Sequence, residues 1–266
     1  MSMEKRIDVA LVERSICKTR SRAQNLLKEG CVLLNGIPCT KPSVLVRETD
    51  LLELSGNDIP FVGRGGLKLQ ESLVRFHLCT KGRVCMDIGA STGGFTDCML
   101  QNGASKVYAI DVGHDQLDSS LRNDSRVINL EGTDIRRISC DDLDDTPDFC
   151  SIDVSFISLS HILPSAYQLT AEQSDFVVLV KPQFEAGKSA IGKKGIVKSA
   201  TAHKQVLENV ISFAQNVGFT VHGLCPSPIR GGSGNTEYLL YLKKGSGEIQ
   251  YVPDILNVIR EAGLNR

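Results

Sequence analysis

Seven short apolar segments, at 83–88, 106–111, 126–130, 148–153, 175–181, 219–225 and 236–243, are separated by stretches with helical spacing, as at 93–102, 160–170 and 201–217. This alternation constrains the fold more than any other feature. Strands that alternate with helices build a mostly parallel sheet covered on both faces. Phe176–Val180, five apolar residues with no polar break, has the pattern of such a doubly covered strand. The expected class is therefore α/β, a doubly wound, mostly parallel, seven-stranded Rossmann-like sheet. Hydrophobic residues make up 41% of the 266 and charged residues 23%, close to the globular average, which excludes disordered and low-complexity classes. No apolar run approaches the roughly 20 residues of a bilayer span. The opening Met1-Ser2-Met3-Glu4-Lys5-Arg6 has no apolar signal core, so a soluble, cytosolic chain is expected. The nine cysteines form no C-x-x-C pair and the five histidines do not cluster near them, so no metal site is expected. The cysteines read as small buried hydrophobes in a reducing compartment.

Ahead of the alternating region lies a different unit. Arg6–Val12 has helical spacing, and Thr19 can cap a second helix that runs to Gly30, a natural stop. Val32-Leu33-Leu34-Asn35-Gly36-Ile37 reads as strand, Asn-Gly turn, strand, and Asp50–Leu54 adds another strand. Lys18, Arg20, Arg22, Lys28 and Lys41 surround the second helix and the hairpin, where cations could meet phosphates. Residues 1–83 carry 14 Lys/Arg against 9 Asp/Glu, a balance of +5 on a chain whose net charge is −1. A mildly basic front on an acidic body suits a polyanion-facing module. The Arg-Ser-Arg-Ala-Gln helix start, the Lys-Glu-Gly helix end and the Val-Leu-Leu-Asn-Gly hairpin resemble the S4 RNA-binding module. The expected division is a small α+β S4-like domain at 1–54, a linker at 55–62, the α/β domain at 63–244, and a tail with a short helix at 245–266.

The first strand of the α/β region leads into Asp87-Ile88-Gly89-Ala90-Ser91-Thr92-Gly93-Gly94-Phe95, a Gly-rich loop opening a helix. Glycines there let the backbone approach a ligand closely. Asp111 ends the second strand, 22 residues after Gly89, where a carboxylate can take both hydroxyls of an adenosine ribose. Dinucleotide sites want G-x-G-x-x-G to seat a pyrophosphate. This loop is instead Asp-x-Gly-x-x-x-Gly, and an acid at its head suits a cationic, phosphate-free ligand such as S-adenosyl-L-methionine. The expected cofactor contacts are Asp87, Gly89, Ser91, Thr92, Gly93, Gly94 and Phe95, then Asp111 with Val112, Asp134 to accept from the adenine amine, and Asp153.

Strand ends supply the chemistry. The fourth ends at Asp153-Val154-Ser155-Phe156, without the Pro-Pro-aromatic clamp of amine methyltransferases, and the fifth at Lys181-Pro182-Gln183. A lysine straight after five apolar residues is costly to bury unpaired. Lys68 lies in the Gly-rich approach to the sheet, and Glu237 opens the last strand. Two lysines and two acids at one edge would perturb one another, and a neutral amine among them could accept the proton of an alcohol.

Nearly the whole chain resembles the TlyA, or haemolysin A, family of RNA 2′-O-methyltransferases, whose catalytic domain is similar to that of the FtsJ/RrmJ methyltransferases. The resemblance rests on Ser91–Cys98, Asp153–Leu159, Lys181-Pro182-Gln183-Phe184-Glu185 and Pro226-Ser227-Pro228-Ile229, behind the S4-like front. It implies a catalytic tetrad of Lys68, Asp153, Lys181 and Glu237 and methylation of cytidine 2′-hydroxyls in ribosomal RNA, with ribosomal subunits as partners. Lys181 would be the base or orient the 2′-oxygen, Asp153 and Glu237 would position the lysines, and Lys68 would tune the cluster. At position 134 the family pattern more often has Asn. Further RNA contacts are expected from Arg64, from Lys188, Lys193 and Lys194 in a basic Gly-rich loop, and from Arg136 and Arg137. Two alternatives of other classes are a non-catalytic ribosome-assembly protein, disfavoured by the intact loop and tetrad, and a membrane-active haemolysin, disfavoured by the lack of any membrane-seeking segment.

Overall fold

The computed structural model describes residues 4–17, 20–28, 30–54, 60–187, 190–192, 195–231, 234–245 and 251–264. The front unit packs helices Ile7–Glu13 and Arg20–Lys28 on a three-stranded sheet in the order 37–39, 32–34, 52–54. Its core holds Ile7, Leu11, Ala23, Leu27, Val32 and Val46. Asn35 and Gly36 both have positive φ (52° and 79°), the two-residue turn whose twist matches a hairpin. A short ladder of Lys5–Arg6 with Leu45–Val46 had no signature in the sequence. Thr19, expected as a helix cap, lies outside the described residues.

Asp8 is fully buried in this unit. Arg6 donates to both its oxygens (3.0 and 3.1 Å), Arg20 donates at 2.9 Å and Gln24 at 2.8 Å. The Arg6 guanidinium holds the Asp8 carboxyl well below the usual range. Arg20, expected to face RNA, is thus at least partly committed to an internal ion pair.

The main sheet has all seven expected strands: Val84–Ile88, Lys106–Asp111, Val127–Glu131, Phe149–Ile152, Ser174–Val180, Thr220–Pro226 and Tyr238–Lys244. Numbered one to seven, they lie in the order six, seven, five, four, one, two, three. Strand seven runs antiparallel to both neighbours, and the other described pairings are parallel. Strand order reverses between four and one, which opens a crevice at their carboxyl ends. Helices Gly65–Arg75 and Gly94–Gln101 cover one face through Leu69, Leu73, Phe95 and Met99. Helix Ala200–Val217 covers the other through Val206, Leu207 and Val210. Each such large side chain, fully buried, contributes about 1.5–3 kcal/mol.

Two expected boundaries shift. Phe61, assigned to a linker, is buried in the main core, and Val62 N–H donates to Asp97 at 2.8 Å. Residues 55–59 of that linker lie outside the described set. The last helix, Ile255–Glu261, is no loose tail, because Val258 and Ile259 enter the main core. The segment joins the domain because an apolar stripe must be covered. Six cysteines are buried as expected, whereas Cys79 and Cys140 are exposed and Cys39 is half-buried.

Candidate active site

The loop after strand one turns on three left-handed residues, Gly89 (φ 84°), Ser91 (49°) and Gly93 (93°). A Cβ at Gly89 would stand 2.4 Å from the Asp153 carbonyl oxygen, so only glycine lets the ends of strands one and four meet. Ser91 N–H donates to Asp111 Oδ2 at 2.8 Å, which rewards its unusual backbone. A Cβ at Gly94 would be 2.9 Å from Gly66 N, so the starts of two helices touch there and Lys68 is carried to the crevice.

Two cavities meet at this edge. The larger, about 430 Å³, is lined by Ile88, Ile110, Asp111, Val112, Asp134, Ile135, Phe156 and Ile162 among others. The smaller, about 250 Å³, is lined by Arg64, Lys68, Ser91, Thr92, Gly94, Phe95, Lys181 and Arg230 among others. Gly89, Ser91, Asp153 and Ser155 line both. The larger pairs an apolar slot, wide enough for a purine, with an acid at its rim.

Asp111 also accepts from Gly113 N–H at 2.7 Å, so backbone amides aim its carboxylate at the rim. Asp134 is differently placed. It caps the following 3₁₀ turn through Arg136 N–H (3.0 Å) and pairs with the Arg136 side chain at 2.6 Å. That guanidinium pulls the Asp134 carboxyl down to about 2, so the acid expected to read adenine is largely occupied by its neighbour. Arg136, in turn, is spent on Asp134 rather than standing ready for a phosphate. Asp87 and Gly93 line neither cavity. Asp87 is fully buried beneath the loop, accepting from Thr96 Oγ1 (2.7 Å) and Ser151 Oγ (3.0 Å), and burial pushes its carboxyl up to about 7. The open space expected over Gly93 is filled by Leu117 and Leu121.

The four expected chemical residues converge. Lys181 Nζ lies 2.5 Å from Asp153 Oδ1, and Lys68 Nζ lies 2.7 Å from Glu237 Oε2 and 3.9 Å from Asp153 Oδ2. Lys68 and Lys181 are each 8% exposed and Glu237 3%, so this is a nearly dry chain of alternating charge. Each lysine has a carboxylate as its close partner. Room for Glu237 is made by Gly231, where a Cβ would stand 2.4 Å from Oε1.

Three residues of the site are not marked out by the sequence pattern. Ser155 Oγ accepts from Lys181 Nζ at 2.8 Å. Phe156 is 91% exposed at φ 64°, beside Phe184 with ring centroids 5.0 Å apart. Glu185 braces the same loop, accepting from Ser158 Oγ (2.7 Å) and Leu159 N–H (2.8 Å). All three sit in the strings Asp153–Leu159 and Lys181–Glu185, where a recurring motif marks importance but not which side chain does what. Of the expected RNA contacts, Arg64 lines the smaller cavity. Lys28 and Lys41 are exposed on the front unit, and Arg22 is half-buried there. Lys18, Lys188, Lys193 and Lys194 lie outside the described residues. Among the described residues, no group of His, Cys, Asp and Glu could hold a metal ion, and no helix is long and apolar enough to cross a membrane.

Residues 61–244 match the FtsJ-like methyltransferase family and residues 5–52 the S4 domain. The chain is 46% identical to the Bacillus subtilis protein YqxC, over 98% of this chain and 95% of that one. It is 39% identical, over 91% of both chains, to the Mycobacterium tuberculosis 16S/23S rRNA (cytidine-2′-O)-methyltransferase TlyA. A solved Streptococcus thermophilus protein that carries the name hemolysin superposes with a TM-score of 0.79 at 43% identity, covering 99% of this chain and 97% of that one.

Proposed function

Because this chain belongs to the FtsJ-like methyltransferase family and carries an S4 domain in front, we propose that it methylates cytidine ribose 2′-hydroxyls of ribosomal RNA, using S-adenosylmethionine. The observation that carries the reading is the Lys68–Asp153–Lys181–Glu237 chain, which closes where the two cavities join. An alcohol is a poor nucleophile until its proton has somewhere to go. The relative named for cytidine 2′-O-methylation of 16S and 23S rRNA points to the same acceptor.

The cavities fit the cofactor. Asp111 is aimed for a ribose diol, Ile88, Ile110, Ile135 and Ile162 wall an apolar slot, and Asp153 puts negative charge at the junction. S-adenosylmethionine supplies an electrophilic methyl group on a sulfonium. The protein's own residues then have separable tasks. Lys181 meets the 2′-oxygen from the smaller cavity. Asp153 Oδ1, 2.5 Å from Lys181 Nζ, is where a proton passed to that pair can rest. Glu237 holds Lys68, which in turn faces the second oxygen of Asp153 and sets the charge of the cluster. The exposed ring of Phe156 offers a stacking platform for an unstacked base. The exposed Lys28 and Lys41 of the front unit supply positive charge for phosphates.

The test is to incubate labelled S-adenosylmethionine with unmodified ribosomal subunits and with naked ribosomal RNA, then map 2′-O-methylated nucleotides. Label at cytidine 2′-oxygens is the expected result. RNA that gains no label removes the proposal.

A further inference from the structure

Ser155 stands at the junction of the two cavities and lines both. Its Oγ lies 2.8 Å from Lys181 Nζ. An ammonium only donates, so the hydroxyl oxygen is the acceptor, and the hydroxyl keeps its own proton for the cavity. Asp153 Oδ1 forms an ion pair with the same nitrogen at 2.5 Å, outside hydrogen-bond geometry. The chemistry of a tetrahedral nitrogen does the rest. With one anchor, Nζ can swing about that contact. With Asp153 holding the charge and Ser155 accepting a directed hydrogen bond, that swing is restricted.

We propose that Ser155 is a positioning residue for methyl transfer, one of two anchors that aim Lys181 Nζ at the acceptor oxygen. This rests on the function proposed above and adds to the tetrad a residue from a different part of the motif. Ser155 follows Asp153 by two on the loop leaving strand four, so one short segment presents both anchors to a lysine from strand five. The Phe184 ring, 5.9 Å from Lys181 Nζ, closes a further side with a surface that attracts the cation but sets no hydrogen-bond direction. The other charged groups around Lys181 are Lys68 and Glu237, reached across Asp153, and Arg64 and Arg230 on the wall of the same cavity. None of these replaces a hydrogen bond lost from Ser155.

The test compares wild type, Ser155→Ala and Ser155→Thr in single-turnover methyl transfer to unmodified ribosomal subunits. Ser155→Ala should slow transfer about tenfold, the scale of one hydrogen bond to a charged group, with S-adenosylmethionine affinity within twofold of wild type. Ser155→Thr, which keeps the hydroxyl, should restore the rate. A rate within twofold of wild type, a failure of Ser155→Thr to restore it, or a loss of cofactor affinity matching the loss of rate would each overturn the proposal. A second measurement needs no substrate. In protein labelled with [ε-13C]lysine, the Lys181 resonance, assigned by its disappearance in Lys181→Arg, should move in Ser155→Ala while that of Lys68 holds. Coincident Lys181 resonances would overturn the anchoring even if wild type methylated no RNA, an outcome that would separately end the functional reading.

Discussion

Lys68 and Glu237 are 169 residues apart in the chain and 2.7 Å apart in space, with both side chains almost wholly removed from water. Strand seven is antiparallel, so its first residues reach the edge where the parallel strands end. The helix that starts against Gly94 brings Lys68 to the same place. Leaving either charge without its partner is costly. Glu237→Ala should lower stability by about 3 kcal/mol, read as a fall in the denaturant midpoint, and should abolish transfer. A fall under about 1 kcal/mol would mean that Lys68 finds water or another partner.

Lys181→Ala separates binding from chemistry. Calorimetry should give an S-adenosylmethionine affinity near that of wild type, while methyl transfer falls at least about 100-fold. Transfer near the wild-type rate would reduce Lys181 to a structural lysine.

Gly89→Ala tests the close approach of strands one and four. The new methyl group meets the Asp153 carbonyl at 2.4 Å and the residue must hold φ 84°. Destabilisation of about 1–3 kcal/mol and loss of cofactor binding are expected, measured by thermal melts with and without S-adenosylmethionine. Retained cofactor-induced stabilisation would contradict the tight junction.

Asp87 should leave a signature in pH. Burial raises its carboxyl from an ordinary 3.8 to about 7, so the folded state holds the proton more tightly than the unfolded chain. Its contribution is therefore present below about pH 4 and lost as pH climbs towards 7. The stability difference, wild type minus Asp87→Asn, should decline across that window by a few kcal/mol, as read by chemical denaturation at each pH. A flat difference would mean that Thr96 and Ser151 hold the charged form without penalty. His203, buried and with its pKa lowered, titrates in both proteins and cancels from the difference.

RNA affinity should fall steeply with salt, because phosphate contacts release counterions. Asp8→Ala frees Arg6 and Arg20 from their shared anchor and should unfold the front unit at lower denaturant than the main sheet. RNA binding that stays salt-independent, or is unaffected by this change, would exclude the front unit as a phosphate-binding surface.

The sheet was legible because burial writes it directly into the sequence. Strand five contains five consecutive apolar residues, Phe176–Val180, that no exposed segment would tolerate, and all seven strands fall within two residues of expectation. Lys181 and Asp153 were legible for the converse reason, as charges at the ends of buried strands that require partners. What failed depended on side-chain direction. Nothing in Asp134-Ile135-Arg136 distinguishes a carboxylate aimed at a ligand from one folded back on its own helix cap. Asp87 lies in strand one, which is covered on both faces, so its side chain is held beneath the loop by Thr96 and Ser151 rather than presented to the crevice. Ser155 and Phe156 were visible as letters of a motif, but their roles follow from a left-handed backbone and from a lysine on another strand.

Strand seven also ties the site to the end of the chain, because this last strand in sequence lies between strands five and six. A chain emerging from its N-terminus presents the glycine loop, Asp153 and Lys181 well before the carboxylate that must neutralise Lys68. Without that strand Lys68 has no Glu237 to pair with, and Asp153 alone faces two lysines. Catalytic competence therefore arrives together with closure of the sheet, and a prematurely terminated copy would be unable to modify anything.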